Sequence, residues 1–308
     1  MAQSTTPLRI GTRGSPLALV QARMVRDRLA AALGRPADSI EIKIIRTTGD
    51  TIVDRPLAEE GGKGLFTKEI EEALIRRDVD LAVHSAKDMP TFLPRGLMLA
   101  ACLEREDPRD VFIGAKAKSI AALPQGARVG TASLRRQAIM KRARPELEVA
   151  PLRGNVETRL RKLDSGEADA IILALAGLKR LGLESRATKI MSVDEFLPAA
   201  GQGAIAIETR EDDVATRAVV AKIDHAATST AIDAERAFLA VLDGSCKTPI
   251  GAHATIDDET IRFRGLIARP DGDAAHDISA VGRLADAVKI GEDCARELKQ
   301  RAGVGFFD

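Results

Sequence analysis

The chain has 308 residues, 45% hydrophobic, 30% charged and only 3% aromatic, with a formal net charge of +1. That length exceeds a single hydrophobic core and points to two or three domains of ordinary globular composition. A balanced charge gives no field for recruiting nucleic acid, few aromatics leave few stacking platforms for bases, and no apolar run reaches membrane-spanning length, so neither partner is expected. Cys102, Cys246 and Cys294 are far apart and odd in number, and the four histidines lack ligand spacing, so neither a disulfide framework nor a metal is expected. The first seven residues carry no apolar core or twin-Arg signal, which predicts a cytoplasmic protein.

In chain order, Leu8-Arg9-Ile10-Gly11-Thr12 reads as a strand, followed by a turn through Arg13 and a Ser15 N-cap. Pro16 then occupies the first helical position of a helix to about Leu33, with Leu17, Val20, Met24 and Leu29 on its apolar face. Residues 47–64 have no regular period and read as a mobile lid. They are no Walker A loop, because Leu57 stands where its first glycine belongs. A helix over Glu69–Ile75 leads through Arg76-Arg77-Asp78 to a strand at 79–84. Ser85-Ala86-Lys87-Asp88 follows at the strand's C-terminal end, where ligands of parallel sheets bind. Asp88 is the acid–base candidate, since histidine is scarce; a plain surface ion pair with Lys87 is the alternative.

Val129-Gly130-Thr131-Ala132-Ser133-Leu134-Arg135-Arg136 repeats the strand, turn and Ser N-cap, with a helix to about Arg144. Arg135 and Arg136 oppose the helix macrodipole unless an anion sits over that turn; two solvated arginines are the alternative. Arg153 and Arg159 flank Gly154-Asn155, and a helix over Val156–Leu163 leads through Asp164-Ser165-Gly166 to a strand at 168–174. The expected architecture is α/β: two similar lobes like those of periplasmic binding proteins, 5–103 with 204–221 and 109–197, with doubly wound, mainly parallel sheets whose turns face one cleft. Arg13, Lys87, Arg135, Arg136, Arg153 and Arg159 are too many cations for one phosphate and suit a ligand with several carboxylates.

Gly201-Gln202-Gly203 precedes a strand instead of following one, so it reads as a crossing between lobes, not a Rossmann fingerprint. From 224 to 308 a small α+β domain is expected, with helices over Ser229–Leu242 and about Leu284–Arg301. Cys246 lies in a Gly-flanked loop beside Lys247, where a thiolate is favoured; Cys102 and Cys294 read as packing residues.

Seven segments in order resemble the porphobilinogen deaminase family: 11–19, Gly61–Phe66, His84–Asp88, Glu104–Asp110, Gly130–Arg136, Leu152–Val156 and Gly201–Gly203. Ala132, Ser245 and Lys247 depart from its common residues, and Ala132 removes one hydroxyl. The resemblance implies a dipyrromethane cofactor in thioether linkage to Cys246, four porphobilinogen molecules added head to tail with loss of ammonia, and release of hydroxymethylbilane by hydrolysis. It assigns Asp88 to catalysis. Lys87, Ser85, Thr131, Ser133, Arg135, Arg136 and Arg159 go to the cofactor, and Arg13, Ser15, Arg153, Arg159, Phe66 and Gln202 to the incoming ring. It also implies a monomer whose partner is a small-molecule substrate. The rivals are a non-catalytic two-lobe solute-binding protein and a cysteine-based acyl or phosphoryl transferase, for which His253 is the only histidine near Cys246 in sequence.

Overall fold

The computed structural model describes residues 7–51, 64–242, 248–303 and 305–306. The chain runs β1 (Leu8–Thr12), α1 (Pro16–Leu33), β2 (Ile40–Ile44), α2 (Thr48–Thr51), α3 (Lys68–Ile75), β3 (Leu81–Ser85) and β4 (Leu97–Cys102). It continues with β5 (Asp110–Gly114), β6 (Arg128–Gly130), α4 (Leu134–Ala143), β7 (Glu148–Ala150), α5 (Val156–Asp164), β8 (Ala170–Ala174), α6 (Leu175–Arg180) and β9 (Lys189–Ile190). Last come β10 (Ile205–Arg210), α7 (Val214–Val220), α8 (Ala226–Val241), β11 (Ile250–Asp257), β12 (Thr260–Ala268), β13 (Ala275–Arg283) and α9 (Ala287–Ala302). Two compact units result: one takes the described residues up to Arg105 with Ala204–Ser229, the other Glu106–Gly203 with the described residues from Thr230 onward.

Each unit holds a five-stranded sheet of the same plan, β2-β1-β3-β10-β4 in the first and β7-β6-β8-β5-β9 in the second. In the first, β1 is parallel to β2 and β3, while β10 is antiparallel to β3 and β4. In the second, β6 is parallel to β7 and β8, while β5 is antiparallel to β8 and β9. Each sheet therefore has a parallel centre and one reversed strand, and that strand is the first the chain forms after crossing from the other unit. β3 and β8 are buried almost throughout, as strands covered on both faces must be, which is why they read as unbroken apolar runs.

Local chemistry sets the helix starts. Ser15 Oγ accepts from Ala18 N (3.3 Å) with Pro16 next to it, and α1 stops at Gly34, whose φ of 62° is left-handed. Ser133 Oγ accepts from Arg136 N (3.4 Å), and Asn155 Oδ1 from Thr158 N (2.8 Å). In the second unit the antiparallel sheet β11-β12-β13 has its own core with α8 and α9, centred on Phe238 and Phe263 at 5.2 Å between ring centroids. Among the described residues no helix is long and apolar enough to cross a membrane.

Candidate active site

In the first unit the parallel strands β1 and β3 end side by side, and a pocket of about 50 Å³ opens there. It is lined by Arg13 and Ser15 from the β1–α1 turn, Gln21 from α1, Phe66 and Thr67 from the start of α3, and Ser85 and Asp88 beyond β3. Thr12 is fully buried beneath the turn and its hydroxyl donates to Val83 O at 3.4 Å, which ties the two strand ends together. Arg13 lies over the Phe66 ring, 4.2 Å from its centroid, so the ring holds the guanidinium at the pocket. Ser85 and Gln21 exchange hydrogen bonds at 2.9 and 3.1 Å. Asp88 ends a single 3₁₀ turn, Ala86–Asp88, in which Ala86 N donates to Ala204 O at 3.0 Å; Lys87, in the same turn, is half-buried. Five residues expected at the ligand, Arg13, Ser15, Phe66, Ser85 and Asp88, thus meet around one pocket.

The second unit has the equivalent turns. Thr131 N donates to Ala150 O at 2.9 Å, so the ends of β6 and β7 are adjacent, and Thr131 Oγ1 accepts from Ser133 N at 3.1 Å. Gly154 has φ 116°, and a Cβ there would fall 2.6 Å from Thr158 Cγ2, so this turn requires glycine. Arg159 Nε donates to Gly154 O at 2.8 Å, and Arg153 Nη1 is buried with no hydrogen-bond partner among the described residues.

Arg135 and Arg136 differ from expectation. They are 4% and 5% exposed, and both guanidiniums pair with Asp110, the first residue of β5. Asp110 Oδ2 accepts from Arg135 Nη2 at 2.7 Å, and Oδ1 accepts from Arg136 Nη2 at 2.7 Å and Nε at 3.2 Å. Arg135 Nη1 donates to Leu197 O at 2.6 Å and Arg136 Nη1 to Ile172 O at 2.8 Å. Burial alone would raise the Asp110 carboxyl, but the charges and hydrogen bonds of the two arginines outweigh it and hold it at about 2. Both guanidiniums are therefore paired from inside the chain, while Arg135 Nε stays buried with no hydrogen-bond partner among the described residues. Gln202, expected at the incoming ring, is 1% exposed, and its Nε2 donates to Pro108 O at 2.7 Å and Asp110 Oδ1 at 3.0 Å. Asp110 closes the resembling segment Glu104–Asp110 and opens the apolar strand Val111-Phe112-Ile113, but the sequence alone shows no role for it.

Cys246 and most of the expected lid, 52–63, lie outside the described residues. Cys102 and Cys294 are both buried. Among the described residues no group of three or more His, Cys, Asp or Glu is arranged to hold a metal ion.

Residues 8–218 match the family model described as porphobilinogen deaminase, dipyromethane cofactor binding domain, and 229–300 match the porphobilinogen deaminase C-terminal domain. The porphobilinogen deaminase of Nitrobacter hamburgensis is 60% identical over 298 residues, covering 97% of this chain and 94% of that protein. The enzyme of the same name from Nitrobacter winogradskyi has the same identity and coverage. Among solved structures, an ABC transporter periplasmic substrate-binding protein from Coxiella burnetii aligns with 72% of this chain and 94% of its own, at 17% identity and a TM-score of 0.43.

Proposed function

Because the chain belongs to the porphobilinogen deaminase family, we infer that it is the transferase that joins four porphobilinogen molecules head to tail and releases hydroxymethylbilane for tetrapyrrole synthesis. The observation that carries the mechanism is the pocket at the ends of β1 and β3, where a carboxylate, Asp88, shares walls with Arg13, Ser15 and Ser85. Such a lining suits a ring bearing acetate and propionate groups: the guanidinium and hydroxyls hold carboxylates, while Asp88 accepts from a pyrrole N–H. As the amine departs, the Asp88 charge offsets the positive charge left on the ring, and its carboxylate takes up the proton released when the new carbon–carbon bond forms. Phe66 packs against the ring and keeps Arg13 in place.

The family's dipyrromethane supplies the free pyrrole carbon to which units are added. The residues present fit its carboxylates, since the Thr131 and Ser133 hydroxyls each accept one backbone N–H and keep a proton to donate. We assign its covalent attachment to Cys246, and its carboxylates to Lys87, Thr131, Ser133 and Arg159, with Arg135 and Arg136 acting from their Asp110 pairing. Arg153 serves the incoming ring with Arg13 and Ser15. A cytoplasmic monomer is the state proposed for the working enzyme. The alternative of a non-catalytic solute-binding protein is not favoured. Incubation with porphobilinogen tests the reading: four ammonia molecules should be released per hydroxymethylbilane, because each of the four porphobilinogen molecules joined loses its amine, and binding without turnover would overturn it.

A further inference from the structure

On the sheet face covered by α3 lies a group of ionisable side chains that the proposed mechanism does not use. His84 of β3 and Glu208 of β10 project to that face, and His84 Nε2 lies 3.1 Å from Glu208 Oε2 with the side chains 3% and 0% exposed. Glu71 of α3 is 6% exposed. Glu208 Oε1 and Glu71 Oε1 are both buried without a hydrogen-bond partner. Two carboxylates and one imidazole sealed from water leave uncompensated negative charge even when the imidazole is protonated, and two orphaned acceptors lack donors; one added proton reduces both costs.

The cluster borders the pocket. The side chain of Thr67 hydrogen-bonds Glu71, and Thr67 and His84 line the same pocket as Asp88 and Arg13. Phe66, under Arg13, is the residue before Thr67. We propose that Glu71 is a positioning residue of this pocket that acts as a neutral carboxylic acid, holding Thr67 and hence Phe66 and Arg13 in place behind the Asp88 turn. Burial pushes the Glu71 carboxyl up, with Thr67 and His84 opposing and Glu208 and Glu69 adding to it. The charged groups facing Glu71 are His84 from β3, Glu208 from β10 and Glu69 from its own helix. Arg210, near the other end of α3, is engaged by Leu74 O, Val79 O and Asp213.

The role at the pocket rests on the function proposed above; the protonation state does not, so the two fail separately. Purified holoenzyme is compared with E71Q and E71A at neutral pH by infrared spectroscopy, by unfolding across pH and by kinetics. The carbonyl band of a protonated carboxyl should be present in the wild type and absent from E71Q. A raised folded-state carboxyl stabilises most below its ordinary range and loses that contribution as pH rises through its folded value, so E71Q should gain on the wild type as pH rises. E71A should lose about 10- to 100-fold in kcat/KM for porphobilinogen, and E71Q should restore most of it. An unchanged infrared band in E71Q, or a parallel pH dependence of stability, overturns the neutral acid. An E71A enzyme with wild-type kcat/KM, or an E71Q enzyme as impaired as E71A, overturns the positioning role.

Discussion

Arg135 Nη2 lies 2.7 Å from Asp110 Oδ2, with the two side chains 4% and 0% exposed. A buried pair of this kind contributes little over a well-packed apolar substitute, but removing one partner strands a charge away from water. Asp110→Asn should therefore cost about 3–5 kcal/mol in urea unfolding. Arg135→His and Arg136→His should destabilise primer-loaded and primer-free protein alike, because the carboxylate they neutralise belongs to the chain. A loss confined to the primer-loaded form would instead show that these guanidiniums serve the cofactor alone.

The same pair sets a pH dependence. Asp110 is held at about 2, below its ordinary 3.8. Its contribution is present above the unfolded value and lost as pH falls through the folded one. Wild-type stability should fall steeply between these values, and Asp110→Asn should fall less; parallel curves would remove Asp110 from the account.

Asp88→Asn should keep the fold and the bound primer while turnover falls about 10²–10⁴-fold, the usual worth of a positioned charge or base. Asp88→Glu should retain more, since the charge survives with misplaced geometry. Turnover within about threefold of wild type in Asp88→Asn would move the role to another carboxylate.

Arg13→Leu and Arg153→Leu should leave the primer attached and stall elongation, visible as enzyme-bound intermediates by mass spectrometry. Each lost charged contact should cost about 1.5–3 kcal/mol of substrate binding. Phe66→Leu should weaken binding less, because Arg13 keeps its charge and loses only the ring beneath it, worth about 0.5–1 kcal/mol. An Arg13 variant purified without primer would contradict the assignment to the incoming ring.

The Cys294 thiol is pushed up to about 11 by burial and by the charges of Glu297 and Asp293. It should resist maleimide at pH 8 in the folded protein and react on unfolding. Rapid labelling of native Cys294 would show that α9 does not pack as described.

Much of the first unit was legible because its signals are local. Ser15 with Pro16 and the unbroken apolar run at β3 mark a helix start and a strand end by short-range chemistry, and the pocket lies there; Ser133 and β8 mark the same points in the second unit. The return of 204–221 to the first sheet could also be read from an apolar strand following glycines. What escaped depends on distant partners. Asp110 lies 25 residues before Arg135, and nothing between them shows that a carboxylate from β5 reaches the start of α4. Glu208 likewise meets His84 only through the pairing of β10 with β3, 124 residues apart in the chain.

The central claim is a primer held for life on one thiol, and intact mass of the purified protein tests it most directly. The wild type, Cys102→Ser and Cys294→Ser should each carry an added mass of two linked pyrrole units, and Cys246→Ser should have the bare polypeptide mass and no turnover. A wild-type protein of unmodified mass that still makes hydroxymethylbilane would contradict the account.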